Sequence, residues 1–199
     1  MVKAAYDLFS SRGYLGTTIA GVAADAGVAV PTVYYTFGTK AALLEEALGA
    51  AILGFDLWRQ PPAAPIEVAE ILPWHDWWSD FLSAPSSRDG LRIAIKNGTG
   101  VLQRVAPLVP ALLGSVGDPE AARAVEISEQ RRIESYREMI SVIATQPGGL
   151  RAGLTKPAAT DIMATLFSAE VYQAFANRGW PHHRCTTFFD QLLAAQLLA

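Results

Sequence analysis

The sequence contains a single cysteine, Cys185, which excludes an internal disulfide framework and fits a reducing compartment. No apolar run reaches the roughly 18 uncharged residues that a membrane-spanning helix needs. The chain also opens without the basic, apolar and small-residue pattern of an export signal. From these absences we expect a cytoplasmic protein with no membrane partner.

The usual sequence motifs of enzymes are missing as well. There is no P-loop, no G-x-G-x-x-G after a strand, no H-E-x-x-H and no G-x-S-x-G. The nearest approach to a metal cluster is His182-His183-Arg184-Cys185, but adjacent histidines point in different directions on a helix and no fourth ligand is evident. Cys185 is more simply a small apolar core residue. We therefore predict no catalytic site, no metal site and no cofactor.

Basic charge is scarce. The 199 residues include 16 lysines and arginines against 19 acidic residues, which gives a formal net charge of −3. Residues 1–50 hold three basic and four acidic side chains, whereas a DNA-binding domain usually presents a basic face. If this chain binds DNA, we expect weak non-specific binding with a shallow salt dependence.

The periodicity of the apolar residues is helical throughout. With 51% apolar residues, the chain is long enough for one ordinary core or two small ones. No strand-like alternation of any length appears, and the long periodic segments all repeat with helical spacing. The prediction is an all-α fold.

The N-terminal segment predicts three short helices in quick succession. Apolar spacing in the first stops at Gly13, where a glycine can adopt the left-handed conformation of a helix cap. Thr17 and Thr18 offer hydroxyls that cap a second helix, and Gly27 ends it. A third helix follows over residues 29–35. Two helices joined by a short glycine-containing turn are typical of a helix-turn-helix, whose second helix enters the major groove of DNA.

The same segment resembles a known family. The pattern G-Y-x-x-T-T-I-x-x-V-A-x-x-A-G-V-x-x-x-T-V-Y-Y-x-F-x-x-K-x-x-L begins at Gly13 and is similar to the signature of the tetracycline-repressor (TetR) family of bacterial regulators. The trailing Tyr-Tyr-x-Phe-x-x-Lys makes the resemblance specific, because a bare helix-turn-helix rarely carries it. The resemblance implies a transcriptional regulator, most often a repressor, that binds DNA as a homodimer and responds to a small molecule. A three-helix core without a DNA role is the alternative.

In two places the chain departs from the family pattern. Relatives usually have a basic arm and one more helical turn before the position of Lys3. Many also carry an arginine or another polar residue on the second helix, where Ala20 and Gly21 stand here.

The resemblance assigns base contacts to the third helix, with Val33 and Phe37 facing inward. Lys40 matches the family's phosphate-contacting lysine, at a helix start whose backbone amides also attract phosphate. The predicted DNA-binding residues are Thr17, Thr18, Ala29, Val30, Pro31, Thr32, Tyr34, Tyr35, Thr36 and Lys40. The third helix contains no arginine, lysine, asparagine or glutamine, so the bidentate pairs with guanine and adenine are absent. Methyl contacts to thymine from Val30 and Thr32, and hydrogen bonds from hydroxyls, remain available.

The rest of the chain predicts a second, larger helical domain. A fourth helix is expected over residues 39–58, ended by Pro61-Pro62. We place a helix-turn-helix domain at residues 1–48 and an effector-binding and dimerisation domain at residues 49–199, linked by the fourth helix. Within the second domain, periodicity and caps predict helices over residues 66–82 (interrupted at Pro73), 88–105, 118–144, 157–178 and 181–198.

Two apolar stripes in the middle of the chain are unusual in composition. Trp74, Trp77, Trp78 and Phe81 recur at helical spacing, and Arg132 lies on the stripe of a later helix. Both stripes fit a packed core, in which Arg132 would form an ion pair with Glu129 one turn away. Both also fit a ligand pocket, in which the charge of Arg132 would face the ligand. Because the family usually holds an effector among its middle helices, the resemblance favours a pocket for a small hydrophobic or aromatic molecule. Its predicted lining is Trp74, His75, Trp77, Trp78, Phe81, Arg132, Tyr136 and Met139.

The last two predicted helices are apolar on more than one face, which requires more than one packing partner. The resemblance implies that they pair with their copies in a two-fold dimer, and one large intramolecular core is the alternative. The predicted interface is Ile162, Leu166, Ala169, Phe188 and Leu192. Such a dimer would place its recognition helices about 34–36 Å apart and read an inverted repeat. A helical ligand-binding or adaptor protein that kept the fold but lost strong operator binding remains a further alternative.

Overall fold

The protein divides into two compact units. The structure is a computed structural model that describes residues 1–56, 58, 70 and 72–199. One unit, the N-terminal unit, consists of Met1–Pro61 with Gln103–Glu129, and the other, the C-terminal unit, consists of Pro62–Leu102 with Gln130–Ala199. This packing division differs from the division predicted at residue 48, because residues 103–129 pack with the first helices. The functional division at residue 48 stays a prediction.

Helices and short turns make up the described chain. In order the helices are α1 (Val2–Gly16), α2 (Ile19–Asp25), α3 (Val30–Phe37), α4 (Lys40–Leu53), α5 (Asp76–Leu82), α6 (Ser87–Val105), α7 (Val109–Gly114), α8 (Pro119–Ile143), α9 (Lys156–Leu166), α10 (Ala169–Ala176) and α11 (His182–Leu197). Short 3-10 turns lie at Leu72–Trp74 and Ala106–Leu108. Within the described residues, β-type pairing is limited to one isolated bridge between Leu150 and Leu198. The predicted all-α class is therefore confirmed.

The N-terminal unit is built around α1, which packs against α4 and α7, while α2 packs against α3. Helical spacing brings one apolar face of each helix inward. The side chains at the centre are nearly or fully buried and include Leu8, Phe9, Val22, Val33, Leu43, Leu44 and Leu108. Burying one such leucine or phenylalanine contributes about 1.5–3 kcal/mol. This core holds the helix-turn-helix in place.

Two glycines and two threonines set the boundaries of the first four helices. Gly27 adopts a φ of +67° and ends α2 as predicted, whereas Gly13, with a φ of +68°, kinks α1 at the predicted position and the helix continues to Gly16. The hydroxyl of Thr18 accepts a 3.1 Å hydrogen bond from the amide of Gly21, and Thr39 caps α4 in the same way. These signals are local, and the structure follows them.

The C-terminal unit has its own core, in which Phe167 lies directly against α6. A Cβ atom added to Gly98 would come within 2.7 Å of the Phe167 ring, so the helix needs a glycine there. Arg88 of α6 binds the carboxylate of Asp190 on α11 through two hydrogen bonds. The largest buried side chains of this core are Phe81, Leu91, Ile95, Ile140, Ile143, Met163, Phe167 and Phe189.

The fourth helix is shorter than predicted. It ends at Leu53 rather than near residue 58, because the chain reverses at Gly54, which adopts a φ of +99°. The Trp58 indole then donates a 2.8 Å hydrogen bond to the Glu46 carboxylate, and its ring covers Gly49. Trp58 therefore packs on the side of α4 instead of extending it.

The predicted helix over residues 157–178 is two helices. Phe167 leaves helical geometry with a ψ of 71°, and the Ser168 hydroxyl caps α10 by accepting a 3.4 Å hydrogen bond from the amide of Val171. The predicted helix over residues 66–82 falls partly outside the described residues. The described part is a 3-10 turn followed by α5, because Pro73 interrupts the helix. The predictions for residues 88–105, 118–144 and 181–198 are confirmed within two residues at each end.

None of the helices in the described part of the chain has the length and apolar character that crossing a membrane requires.

Candidate nucleic-acid interface

The turn between α2 and α3 sets the direction of α3. Gly27 in its left-handed conformation ends α2, and the amide of Val28 donates a 3.0 Å hydrogen bond back to the carbonyl of Ala23. Val28 is half-buried against the core of the N-terminal unit. Pro31 lies in the first turn of α3, where its missing N–H costs nothing. This is the helix-turn-helix that the sequence predicts.

The α3 helix has one buried face and one open face, as predicted. Val33 has no exposed surface and Phe37 is half-buried, so these two side chains attach α3 to the core. Tyr34 and Tyr35 are 53% and 94% exposed. The other exposed positions on α3 and its cap are Ala29, Val30, Pro31, Thr32 and Thr36. A surface of seven neighbouring positions is thus available to a partner.

The two threonines before α2 have different surroundings. Thr18 is exposed and caps α2, so its hydroxyl lies at a helix N-terminus, where a phosphate could also bind. Thr17 is 1% exposed, and its hydroxyl donates a 2.8 Å hydrogen bond to the carbonyl of Gly13. Thr17 therefore has a structural role in this conformation, closing the turn after α1.

Lys40, the predicted phosphate-contacting residue, lies on Tyr14. Its ammonium donates a 3.0 Å hydrogen bond to the Tyr14 carbonyl and lies 4.1 Å from the centre of the Tyr14 ring. The carbonyl belongs to the last turn of α1, where a cation is favoured. An ammonium has three donors, so this hydrogen bond leaves two for other acceptors.

A carboxylate fixes the tyrosine beneath that lysine. The Tyr14 hydroxyl donates a 2.6 Å hydrogen bond to Asp118, whose other oxygen caps α8 by accepting from the amides of Glu120 and Ala121. The hydrogen bond from Tyr14 and the backbone hydrogen bonds hold the pKa of Asp118 below its ordinary value. No local sequence pattern connects Asp118 to Tyr14.

A second acidic contact lies at the start of α4. The Thr39 hydroxyl donates a 2.9 Å hydrogen bond to Glu120 while it accepts from the amide of Ala42. Asp118 and Glu120 therefore both lie close to the helix start that carries Lys40. This arrangement reduces the local positive potential and agrees with the scarce basic charge of the sequence.

The predicted effector residues form two groups in the C-terminal unit. Trp77, Trp78 and Phe81 of α5 contact one another, with ring centres 5.0–6.1 Å apart, and His75 lies 5.9 Å from Trp77. Trp74 belongs to the preceding 3-10 turn and is 52% exposed, so the four-residue aromatic stripe of one helix is not formed.

The second group surrounds the break between α9 and α10. Arg132 donates hydrogen bonds of 2.9 and 3.3 Å to the carbonyls of Ala164 and Phe167, and the Tyr136 hydroxyl donates one of 2.7 Å to the latter. Arg132 thus caps the end of α9, a use of this charge that the sequence did not indicate. Met139 is buried.

A surface recess of about 580 Å³ occurs elsewhere in the C-terminal unit. Its lining residues are Ser86, Ser87, Arg88, Pro147, Gly148, Ala194, Ala195, Leu198 and Ala199. None of the predicted effector residues lines it. Over the described residues, histidine, cysteine and acidic side chains do not group as metal ligands.

The predicted dimer residues lie on α9, α10 and α11. Ile162, Leu166, Phe188 and Leu192 are half-buried, whereas Ala169 is buried within the unit. Phe188 contacts Phe175 and Trp180 at 4.8 and 5.7 Å between ring centres.

Comparison with known proteins identifies the N-terminal segment. Residues 1–47 match the family model described as bacterial regulatory proteins, tetR family. The comparison with curated protein sequences gave no significant match.

Solved structures share the fold over almost the whole chain. NalD from Pseudomonas aeruginosa, the secondary repressor of the MexAB-OprM multidrug efflux pump, is 17% identical, with 99% of this chain and 93% of that chain covered and a TM-score of 0.63. FadR from Bacillus subtilis, solved with stearoyl-CoA, is 13% identical, with coverages of 96% and 95% and a TM-score of 0.63. A TetR-like transcriptional regulator from Rhodococcus sp. RHA1 is 18% identical, with coverages of 96% and 90% and a TM-score of 0.59. The helix-turn-helix segment thus matches the tetR family model over residues 1–47, and the fold of the whole chain is shared with these solved structures.

Proposed function

We propose that this protein is a homodimeric transcriptional repressor that binds an inverted-repeat DNA operator and is released from it by a small hydrophobic or aromatic effector. The observation that carries the proposal is the open face of α3, which a buried Val33 attaches to a rigid core while seven neighbouring positions stay exposed. A helix held in this way after a glycine turn is the element that enters a major groove.

The DNA backbone contacts are proposed at two helix starts. The N-termini of α2 and α4 are the positive ends of helix dipoles, which favour phosphate oxygens. Lys40 adds a positive charge at the second of them, seated on Tyr14. Because Asp118 and Glu120 lie nearby, we expect fewer phosphate contacts than a basic domain makes, and a shallow dependence of affinity on salt.

The dimer is proposed on α9 and α11. Ile162, Leu166, Phe188 and Leu192 each keep part of their apolar surface exposed in the single chain, which a second copy would cover. A two-fold axis would repeat α3 at about one turn of DNA, roughly 34–36 Å away. The operator is then an inverted repeat.

The effector is proposed to bind near the aromatic group of α5. Trp77 and Trp78 are half-buried beside the buried Phe81, so they offer flat apolar surface. The Bacillus subtilis FadR, which shares the fold, was solved with stearoyl-CoA, and this supports an apolar effector. Arg132, already bound to the carbonyls of Ala164 and Phe167, is a weaker choice of anchor than the sequence indicated.

Selection of DNA from a random pool with the full chain tests the proposal. We expect an enriched inverted repeat, a gel shift at the stoichiometry of one dimer per site, and a dimer in sedimentation. Tyr35→Glu should abolish the shift because it places a negative charge on the open face. Leu113→Glu makes the same change at a 66% exposed position on α7 and is the matched control.

The alternative is a helical ligand-binding or adaptor protein that kept the fold and lost strong operator binding. The acidic residues beside Lys40 favour it. A folded dimer that enriches no sequence from the random pool would support this alternative and reject the repressor.

A further inference from the structure

The open face of α3 has an unusual chemistry for a surface that reads bases. None of the residues from Ala29 to Phe37 carries a charge or a side-chain amide. Val33 is fully buried and Phe37 half-buried, so the surface offered to a partner consists of methyl groups, two phenol rings and hydroxyls. The bidentate contacts that distinguish guanine and adenine cannot be made from this surface.

The hydroxyls of α3 have only a limited part in base recognition. The Thr36 hydroxyl donates a 2.9 Å hydrogen bond to the Thr32 carbonyl, so its proton is used within the helix. Hydroxyls of tyrosine more often bond phosphate oxygens, which fixes register without reading sequence. Tyr35, at 94% exposure, is more exposed than Tyr34 and is suited to that task.

The methyl groups lie at the end of α3 that reaches bases. In a helix-turn-helix, the first residues of the recognition helix contact the base edges. Here those residues are Val30, Pro31 and Thr32, all exposed. Thymine is the base that presents a methyl group in the major groove, and apolar side chains read it by direct contact.

Building on the proposed function, we propose that this chain selects its operator through thymine methyl groups, with Val30 and Thr32 as the specificity-determining residues. Each half-site then carries thymine where the first turn of α3 meets the major groove. Guanine contributes little to recognition at those positions.

Base analogues in the selected operator test the inference directly. Replacing one thymine by deoxyuridine removes the methyl and keeps the pairing, whereas 7-deazaguanine removes the major-groove N7 acceptor of guanine. We expect one or two thymines per half-site at which deoxyuridine weakens binding about fourfold, the value for one buried methyl-sized group. Substitution in both half-sites should multiply to about 15-fold, because distant contacts add in free energy. Deazaguanine should change affinity less than twofold.

Two substitutions of Thr32 assign the contact. Thr32→Val keeps a methyl and removes the hydroxyl, so it should bind the operator normally and keep discriminating against deoxyuridine. Thr32→Ser keeps the hydroxyl and removes the methyl. At one thymine position it should therefore bind the operator with thymine and the operator with deoxyuridine equally tightly. Thr32 is exposed, so both variants should melt like the parent protein, which a thermal scan checks.

The outcomes separate this inference from the proposed function. If an operator is enriched but its affinity is insensitive to deoxyuridine, or falls tenfold or more with 7-deazaguanine, thymine reading is wrong while the proposed repressor function is still supported. Loss of discrimination in Thr32→Val together with its retention in Thr32→Ser also overturns it. A pool from which nothing is enriched overturns the proposed function, and this inference with it.

Discussion

The hydroxyl of Tyr14 donates a 2.6 Å hydrogen bond to the carboxylate of Asp118, a residue 104 positions further along the chain. The same tyrosine holds the Lys40 ammonium on its ring and on its carbonyl. Tyr14 therefore connects the end of α1 to the start of α8 and to the start of α4, all within the N-terminal unit. Burial first, and the Asp118 carboxylate second, raise the pKa of Tyr14 above its ordinary value, so the hydroxyl remains a donor at neutral pH.

Tyr14→Phe should release Asp118 while it keeps the ring and carbonyl that hold Lys40. Without the donated hydrogen bond the carboxylate of Asp118 is less stabilised, so its pKa should rise toward the ordinary aspartate value and the melting temperature should fall. NMR titration of the Asp118 carboxyl group and a thermal scan measure the two effects. Tyr34→Phe, on an exposed tyrosine of the same unit, is the control. An unchanged Asp118 pKa would show that the capping amides alone depress it.

Asp118→Asn should remove a pH-dependent part of the stability. The pKa of Asp118 is lower in the folded chain than in the unfolded one, so its carboxylate stabilises the fold above about pH 3.9, and that contribution is lost as the pH falls through the folded pKa. The parent protein should therefore have a higher melting temperature than the variant at pH 5–7, and this difference should disappear in stronger acid. Asp25→Asn, on an exposed residue ending α2, serves as the comparison. A gap that persists unchanged into strong acid would contradict this origin.

Lys40→Ala should weaken binding to every DNA sequence by a similar factor and lower the salt slope by about one, because it removes the proposed phosphate contact. Lys40→Arg should keep most of the slope. Lys156→Ala makes the same charge change at the start of α9 in the C-terminal unit. Gel shifts of operator and random DNA over a range of salt measure all three. If Lys156→Ala lowers the slope as much as Lys40→Ala, overall charge and not a contact is responsible.

Thr17→Ala should reduce stability and leave the DNA affinity of the folded protein nearly unchanged. The buried hydroxyl donates to the Gly13 carbonyl, and a hydrogen bond of this kind is worth about 0.5–1.5 kcal/mol. Thr17→Ser keeps the donor and should lose much less. Urea unfolding and gel shifts at a temperature where both variants are folded separate the effects. A tenfold loss of affinity in a fully folded Thr17→Ala protein would restore Thr17 as a DNA contact.

Arg132→Ala should destabilise the C-terminal unit even without any effector. The guanidinium donates to two carbonyls at the end of α9, and charged hydrogen bonds contribute about 1.5–3 kcal/mol each before the loss of neighbouring contacts. Arg137→Ala, at an exposed position of α8, the helix that also carries Arg132, should have little effect. Urea unfolding measures both. Unchanged stability together with a lost response to effector would instead identify Arg132 as a ligand anchor.

The sequence predicted the helix-turn-helix because every signal for it is local. The left-handed glycines 13 and 27, the Thr18 cap and the inward position of Val33 follow from backbone sterics and helical periodicity over a few residues. The same reasoning located α6, α8 and α11 within two residues. It overextended α4 because Gly54, one glycine in an apolar run, gave no sign of the reversal that returns Trp58 to Gly49 and Glu46.

The composition and local pattern of this chain by themselves determined its all-α class, its helix-turn-helix and the uncharged exposed face of α3. Only the tertiary structure decided the use of individual polar groups. It buried the Thr17 hydroxyl and brought Lys40 into contact with Tyr14. It also paired Tyr14 with Asp118 and used Arg132 to cap the end of α9. Helix periodicity repeats every few residues and can be read along the chain. The partner of a hydrogen bond that spans 104 residues depends on how helices pack, and no local pattern encodes that.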